Sequence, residues 1–269
     1  MSSITHRPLR AAPALALACL VALLVAAAPA SAADRYVALG DSYSSGTGTR
    51  SYTLNSGCER GVYAYPYLVS QQRPNTALTF VACGGATTTT LMNTQIASVT
   101  STTSLVSVTI GGNDAGFSDV IVECAKPSWL SDCAGRVTTA QNFIRNTLPG
   151  RLNTVYSAIK SRAAAGAKVA VLGYPRIFAG VDCNAGTFFS GDDMTRLNAT
   201  ADLMRDTIRA RAAAYGLTFK DAIPSFTGHA VCSSTEWLNG LSNPTGESYH
   251  PNRTGHASGY APLARSVLG

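Results

Sequence analysis

The sequence predicts a three-layer α/β/α domain built on a parallel sheet of about five strands. Three observations carry this. Short, near-continuously apolar runs recur along the chain, helical stretches separate them, and most runs close on glycine-rich turns. The runs cover 36–39, ending at Gly40; 78–82; 105–110, ending at Gly111-Gly112; 168–172, ending at Gly173-Tyr174-Pro175; and a weaker 217–221. Most are β-branched and apolar on both sides, as strands are when helices cover both faces of a sheet. The clearest helix spans 192–215, with Leu197, Ala201, Met204, Ile208 and Ala212 at steps of three and four. A second covers about 137–165 with an interruption at Pro149-Gly150, and a last one covers about 254–267. Alternation of this kind implies right-handed crossovers between parallel strands. No internal repeat is present, and 33–269 reads as one domain.

The amino terminus reads as a targeting signal. Arg7 and Arg10 precede an apolar run over 11–28, and Ala30-Ser31-Ala32 supplies a small-residue cleavage site. Residues 1–32 are therefore expected to be a secretory signal peptide, rather than a membrane anchor, and the mature chain to be extracellular. No second apolar run reaches spanning length, so no transmembrane segment is expected in the mature protein. Cys19 leaves with the leader, and Cys58, Cys83, Cys124, Cys133, Cys183 and Cys232 remain. An even number in an exported chain reads as three disulfides. Fifteen pairings are open; the sequential set, Cys58–Cys83, Cys124–Cys133 and Cys183–Cys232, is the most economical. No C-x-x-C or H-x-x-x-H spacing occurs, so no metal and no cofactor are expected. The formal charge of +6 falls to +4 once Arg7 and Arg10 are removed, and no dense basic run accompanies it. Nucleic acid is thus excluded as the expected partner. A monomer is expected, since no long apolar stripe is left unassigned to the core.

Ligands of an open parallel sheet bind beyond the carboxyl ends of its strands. After the first strand comes Gly40-Asp41-Ser42-Tyr43-Ser44-Ser45-Gly46; after the second, Cys83-Gly84-Gly85-Ala86; after the third, Gly111-Gly112-Asn113-Asp114. Near the carboxyl terminus, Glu247-Ser248-Tyr249-His250-Pro251-Asn252 places a carboxylate three residues before a histidine. A serine hydroxyl needs a neighbouring base to become a nucleophile, and an imidazole is suited to that task. Ser42 and His250 are the candidates for the pair, with Glu247 to orient the imidazole. An oxyanion needs preorganised donors, for which the Ser42 and Gly85 N–H groups and the Asn113 amide are available. Each motif alone is a common turn or surface pair; their joint placement after successive strands points to acyl transfer. His229 lacks an acid at the spacing of Glu247, and His256 lies within the last helical segment. No G-x-S-x-G elbow occurs, which argues against an ordinary α/β-hydrolase.

These four blocks resemble those of the SGNH hydrolases, the GDSL lipase/esterase family, in order and spacing over 36–250. Ser42 matches the serine block, Gly85 the glycine block, Asn113 the asparagine block and His250 the histidine block. The opening Tyr-Val-Ala-Leu-Gly-Asp-Ser-Tyr-Ser-Ser-Gly is similar to that of the secreted actinomycete lipase, esterase and phospholipase A1 branch, whose three disulfides the six cysteines fit. The resemblance implies a flavodoxin-like sheet and metal-independent ester hydrolysis. Two departures stand out. Tyr43 replaces the usual leucine after the serine, and Glu247 stands where the family usually has aspartate. In some members of this branch a backbone carbonyl orients the histidine instead; here that would be Ser248, with Glu247 the first choice.

The expected substrate is a lipid ester, met in solution or at a lipid interface. Tyr43, Tyr63, Tyr65, Tyr67, Phe117, Tyr174 and Tyr249 lie in or near the site loops, and about half of them are expected to line an apolar acyl groove. A carbohydrate or small-ester acetylesterase is the enzymatic alternative, and a non-catalytic secreted binding protein the alternative from another class. Asn198-Ala-Thr200 and Asn252-Arg-Thr254 match glycosylation sequons.

Overall fold

The computed structural model describes residues 1–5 and 33–269. The expected leader, apart from its first five residues, lies outside the described residues. Residues 33–269 form one unit by their contacts.

Five strands make the sheet: β1 (Asp34–Gly40), β2 (Thr76–Phe80), β3 (Leu105–Thr109), β4 (Lys168–Leu172) and β5 (Thr218–Lys220). All pairings are parallel, in the order β2-β1-β3-β4-β5. This is the flavodoxin-like order. Its switch point, where successive crossovers leave in opposite directions, lies between β1 and β3. The β2 run begins two residues earlier than the apolar pattern suggests, and Val81 and Ala82 still donate to the Ala38 carbonyl beyond its end.

Short helices follow the first three strands: α1 (Ser42–Ser45), α2 (Tyr65–Gln71), α3 (Thr88–Thr94) and α4 (Phe117–Cys124). Longer ones come next, α5 (Cys133–Asn146), α6 (Leu148–Arg162) and α7 (Gly191–Ala214), then α8 (Ala222–Phe226) and α9 (Ala261–Leu268). The expected helix over 137–165 is two helices that meet at Thr147, because Pro149 sits in the first turn of α6, where its missing N–H costs nothing. A capping box between Ser190 and Asp193 starts α7. The segment expected as one terminal helix opens instead with a π-helical turn, Gly255–Tyr260. Pro262 has no N–H to return to residue 258, so the ordinary α ladder cannot run through this point.

Side chains alternate across the sheet and feed two cores. Tyr36, Ala38, Leu105, Ala170 and Leu172 face α2 and α9. Val37, Leu39, Val106, Val108, Val169 and Val171 face α3, α6 and part of α7. Burial on both faces is the reason these strands are nearly continuously apolar, with Ser107 of β3 a buried exception, paired with the Tyr36 hydroxyl. Disulfides join Cys58 to Cys83, Cys124 to Cys133 and Cys183 to Cys232.

Candidate active site

Ser42 opens α1 directly beyond β1, at the carboxyl edge of the sheet. Asp41 caps that helix, its carboxylate accepting from Tyr43 N–H at 3.0 Å. Gly40 has φ +128°, and a Cβ there would stand 2.4 Å from the Thr109 carbonyl oxygen, so no other residue fits without displacing β3. The buried Gln95 side chain pairs with both backbone groups of Gly40: its Oε1 accepts from the N–H at 2.8 Å and its Nε2 donates to the carbonyl at 2.9 Å. Ser44 Oγ accepts from Thr109 N–H at 3.2 Å. The serine turn is thereby tied to β3 and to the loop after α3.

His250 Nε2 lies 2.8 Å from Ser42 Oγ, and its Nδ1 lies 2.9 Å from the Ser248 carbonyl oxygen. A carbonyl only accepts, so Nδ1 carries the proton and the Nε2 lone pair faces the serine hydroxyl. Burial pushes the imidazole down to about 4, with the Ser248 carbonyl pulling weakly the other way.

Contrary to expectation, the Glu247 carboxylate is not hydrogen-bonded to His250. Its Oε1 accepts from the Tyr52 hydroxyl, and no contact runs to the imidazole. The reason lies in the chain path. Glu247 ends a 3₁₀ turn, Ser248 is extended, and Tyr249 takes the left-handed conformation at φ +61°. That reversal folds the Ser248 carbonyl under the ring two residues ahead. Asn239 holds the loop in place. Its Nδ2 donates to the Gly48 carbonyl at 2.9 Å and the Glu247 carbonyl at 3.2 Å, and its N–H donates to the His250 carbonyl at 2.9 Å. Tyr43 adds a second tie, its hydroxyl donating to the Tyr249 carbonyl at 2.7 Å.

Among the described residues no acceptor is paired with the N–H of Ser42 or of Gly85. Gly85 takes φ +74°, and no atom lies within 4 Å of where a Cβ would be, so the backbone there opens onto free space. Asn113 Nδ2 donates one hydrogen to the Ala86 carbonyl at 3.0 Å, leaving the other available. Asp114 links the second and third loops by accepting from Thr88 N–H at 2.8 Å and from Arg151 at 3.0 Å. Tyr174, from the loop after β4, donates to Asp41 and accepts from Gly112 N–H at 3.0 Å, which joins the serine turn to the third loop. Burial pushes Asp41 up to about 7 against the hydrogen bonds from Tyr174 and Tyr43 N–H. Gln95, Asn239, Asp114 and Tyr174 were not singled out as positioning groups by the sequence reading. Asp114 stands in the third block and Tyr174 at a strand end in the sequence, but neither pattern shows which backbone groups they tie together.

Ser42 opens onto an apolar groove of about 700 Å³, its open mouth included. Tyr43, Phe117 and Tyr174 line it, whereas Tyr63, Tyr65, Tyr67 and Tyr249 do not. Tyr65 packs instead against Tyr260, with ring centroids 5.6 Å apart. Most of the wall is aliphatic: Val120 and Ile121 from α4, Ile144 from α5, and Leu197 and Met204 from α7.

His229 stacks on Trp237 at 3.8 Å, and His256 is fully buried beneath Tyr65, so neither approaches Ser42. Both sequon amides are engaged, Asn198 Nδ2 with the Phe178 carbonyl and Asn252 Nδ2 with the Glu236 carbonyl. Among the described residues the one grouping with metal-ligand spacing, Cys183, Cys232 and Glu236, contains a disulfide and so lacks thiolates.

The GDSL-like lipase/acylhydrolase family profile matches residues 38–258. Lipase 1 of Streptomyces coelicolor is 44% identical over 240 residues, 88% of each chain. A lipase of Streptomyces rimosus is 43% identical over 257 residues, covering 95% of this chain and 94% of that one. The crystal structure of phospholipase A1 from Streptomyces albidoflavus superposes with a TM-score of 0.82 at 44% identity, over 88% of this chain and all of that one. Sheet order, site placement and these matches agree, and the chain belongs to the GDSL-like lipase/acylhydrolase family.

Proposed function

We propose that this protein is an exported carboxylic-ester hydrolase that cleaves lipid esters through a Ser42 acyl-enzyme, with residues 1–32 removed on export. The observation that carries the reading is the line from Ser42 Oγ through His250 to the Ser248 carbonyl, at the head of an apolar groove. As Ser42 Oγ bonds to the ester carbon, its proton passes to His250 Nε2. The negative charge formed on the former carbonyl oxygen is met by Ser42 N–H, Gly85 N–H and Asn113 Nδ2. The imidazolium keeps its Nδ1–H on the Ser248 carbonyl and gives the Nε2 proton to the departing alkoxide as the C–O bond breaks. Water then attacks the acyl-enzyme, His250 takes its proton, and Ser42 is restored as the acid leaves. An aliphatic wall favours an acyl chain over a sugar, whose hydroxyls would go unpaired there. This observation supports a lipid ester over a carbohydrate acetyl group.

The test is hydrolysis of a p-nitrophenyl ester series, from acetyl to palmitoyl, by the mature protein and by Ser42→Ala. Activity should peak at medium or long chains and fall by roughly 10⁴–10⁶ in the variant. Release confined to the acetyl ester would replace the lipid reading, and turnover retained in a folded Ser42→Ala would overturn the mechanism.

A further inference from the structure

Large apolar side chains are unevenly exposed on this molecule. Apart from Leu54 and Tyr63, those exposed within 33–269 fall on two adjoining regions beside the groove. The first is the end of α4 and the loop closed by Cys124–Cys133, with Val122, Trp129 and Leu130. Trp129 is 79% exposed. The second is the segment around Cys183, with Val181 and Phe188, and with Leu241 held beside it through Asn184 Oδ1 at 3.1 Å.

These regions touch each other and the site. Phe188 N–H donates to the Ala125 carbonyl at 3.1 Å, which joins the second segment to the end of α4. The inner face of α4 carries Val120 and Ile121 into the groove while Val122 faces out. Phe189 turns inward, its ring centroid 5.8 Å from that of Tyr249, next to His250. The first loop is also braced: Ser131 Oγ donates to the Glu123 carbonyl at 2.8 Å, and Asp132 N–H to the Glu123 carboxylate at 2.7 Å. Trp129 and Leu130 therefore stand out from a fixed base. A tryptophan and a leucine held in water on a pinned loop are costly unless something apolar covers them.

We infer that this rim is a docking surface for a neutral or zwitterionic lipid aggregate, which delivers an ester chain into the adjoining groove. The inference rests on the ester-hydrolase reading above for its substrate. Charge selects the class of surface. Lys126 is paired with Glu123 at 2.5 Å, and Asp132 and Asp182 flank the two loops with their carboxylates turned onto backbone N–H groups. Among the described residues of this rim, Lys126 and Arg136 both lie beside the Glu123 carboxylate, which leaves little free positive charge to seek anionic headgroups, so adhesion comes from inserted apolar area.

The experiment uses Ser42→Ala protein with phosphatidylcholine vesicles and follows tryptophan emission. Trp129 and Trp237 are the two tryptophans, and Trp237 is stacked on His229. A blue shift quenched by brominated lipid, and lost in Ser42→Ala/Trp129→Phe, is expected on binding. In protein with Ser42 intact, Trp129→Ser combined with Phe188→Ser should lower turnover of vesicle lipid by roughly tenfold or more, each buried apolar side chain being worth about that factor. Turnover of a soluble short-chain ester should stay within about twofold, as for other surface changes. Equal loss on both substrates, or undiminished vesicle turnover, would overturn the inference. So would binding that requires anionic lipid and vanishes in high salt, or a dimer abolished by the same substitutions in protein that ignores vesicles. Vesicle binding by wild-type protein that cleaves neither ester would leave the docking surface standing and remove the hydrolase reading instead.

Discussion

The two halves of the proposed catalytic pair are held by different physics. Ser42 stands at the end of a buried strand, its turn fixed by the sheet ladder, by Gln95 on Gly40 and by Ser44 on β3. His250 stands in an irregular stretch after α8 whose one regular piece is the 3₁₀ turn Thr245–Glu247. That stretch is carried by ties to residues about two hundred positions earlier, chiefly Asn239 to Gly48 and Tyr43 to Tyr249. The comparison separates stability from alignment. Loss of a tie on the serine side should weaken the fold, whereas loss of one on the histidine side should misplace the base within an intact fold.

Within this comparison the largest expected effect tests the proposed oxyanion donors on the serine side. Asn113→Ala should lower kcat by about 10²–10³ with KM little changed. A loss under threefold on a soluble ester would put Asn113 outside the hole. Next comes a paired test of the comparison itself. Asn239→Ala should cost roughly ten- to a hundredfold in kcat through misalignment, with a smaller drop in the urea midpoint than Gln95→Ala. Gln95→Ala leaves the Gly40 N–H unpaired in the core, while the Gly40 carbonyl keeps Cys83 N–H, and should cost about 1–3 kcal/mol of stability. Equal stability losses in the two variants would erase the distinction.

Acidification gives a smaller, graded effect. Burial holds His250 near 4 and His256 near 3, below the ordinary 6.5. Between those limits the unfolded chain binds protons that the folded chain refuses. Their contribution is therefore complete above pH 6.5 and is lost as the pH falls toward 4. Asp41, raised to about 7, acts in the opposite sense with one proton and leaves the net direction unchanged. Urea midpoints should fall between pH 7 and pH 5, and the acid limb of kcat/KM should lie near 4. A limb at 6.5 would mean that the imidazole is solvated. The smallest effect concerns Glu247. Glu247→Gln should keep kcat within about threefold, against the roughly 10⁴-fold loss expected of an orienting carboxylate.

Much of this was legible in the chain. Burial on both faces leaves nearly continuous apolar runs in β1, β3 and β4, so these strands and their glycine-rich ends could be read directly. Ser42, Gly85 and Asn113 each follow a strand end, and their gathering at one edge is a consequence of parallel order. At seven residues each, α2 and α3 are too short to show a readable periodicity, and α4 is only eight residues long. Leu197, Ala201 and Met204 were legible as a helical stripe but not as groove wall, since a stripe facing a void has the same spacing as one facing a core. Glu247 misled because spacing gives proximity along the chain and says nothing of direction; the reversal at Tyr249 decides that.

The partner of His250 has a consequence for how this enzyme can vary. A carboxylate can be deleted by one codon change, but every amino acid at position 248 brings a carbonyl oxygen. The third member of the proposed relay would thus be invisible to alanine scanning, which would report a two-residue machine. It is also immune to side-chain drift at its own position. Vulnerability moves instead to whatever keeps Tyr249 in its left-handed turn, so inheritance of the relay is a matter of local chain geometry and not of chemical identity at 248.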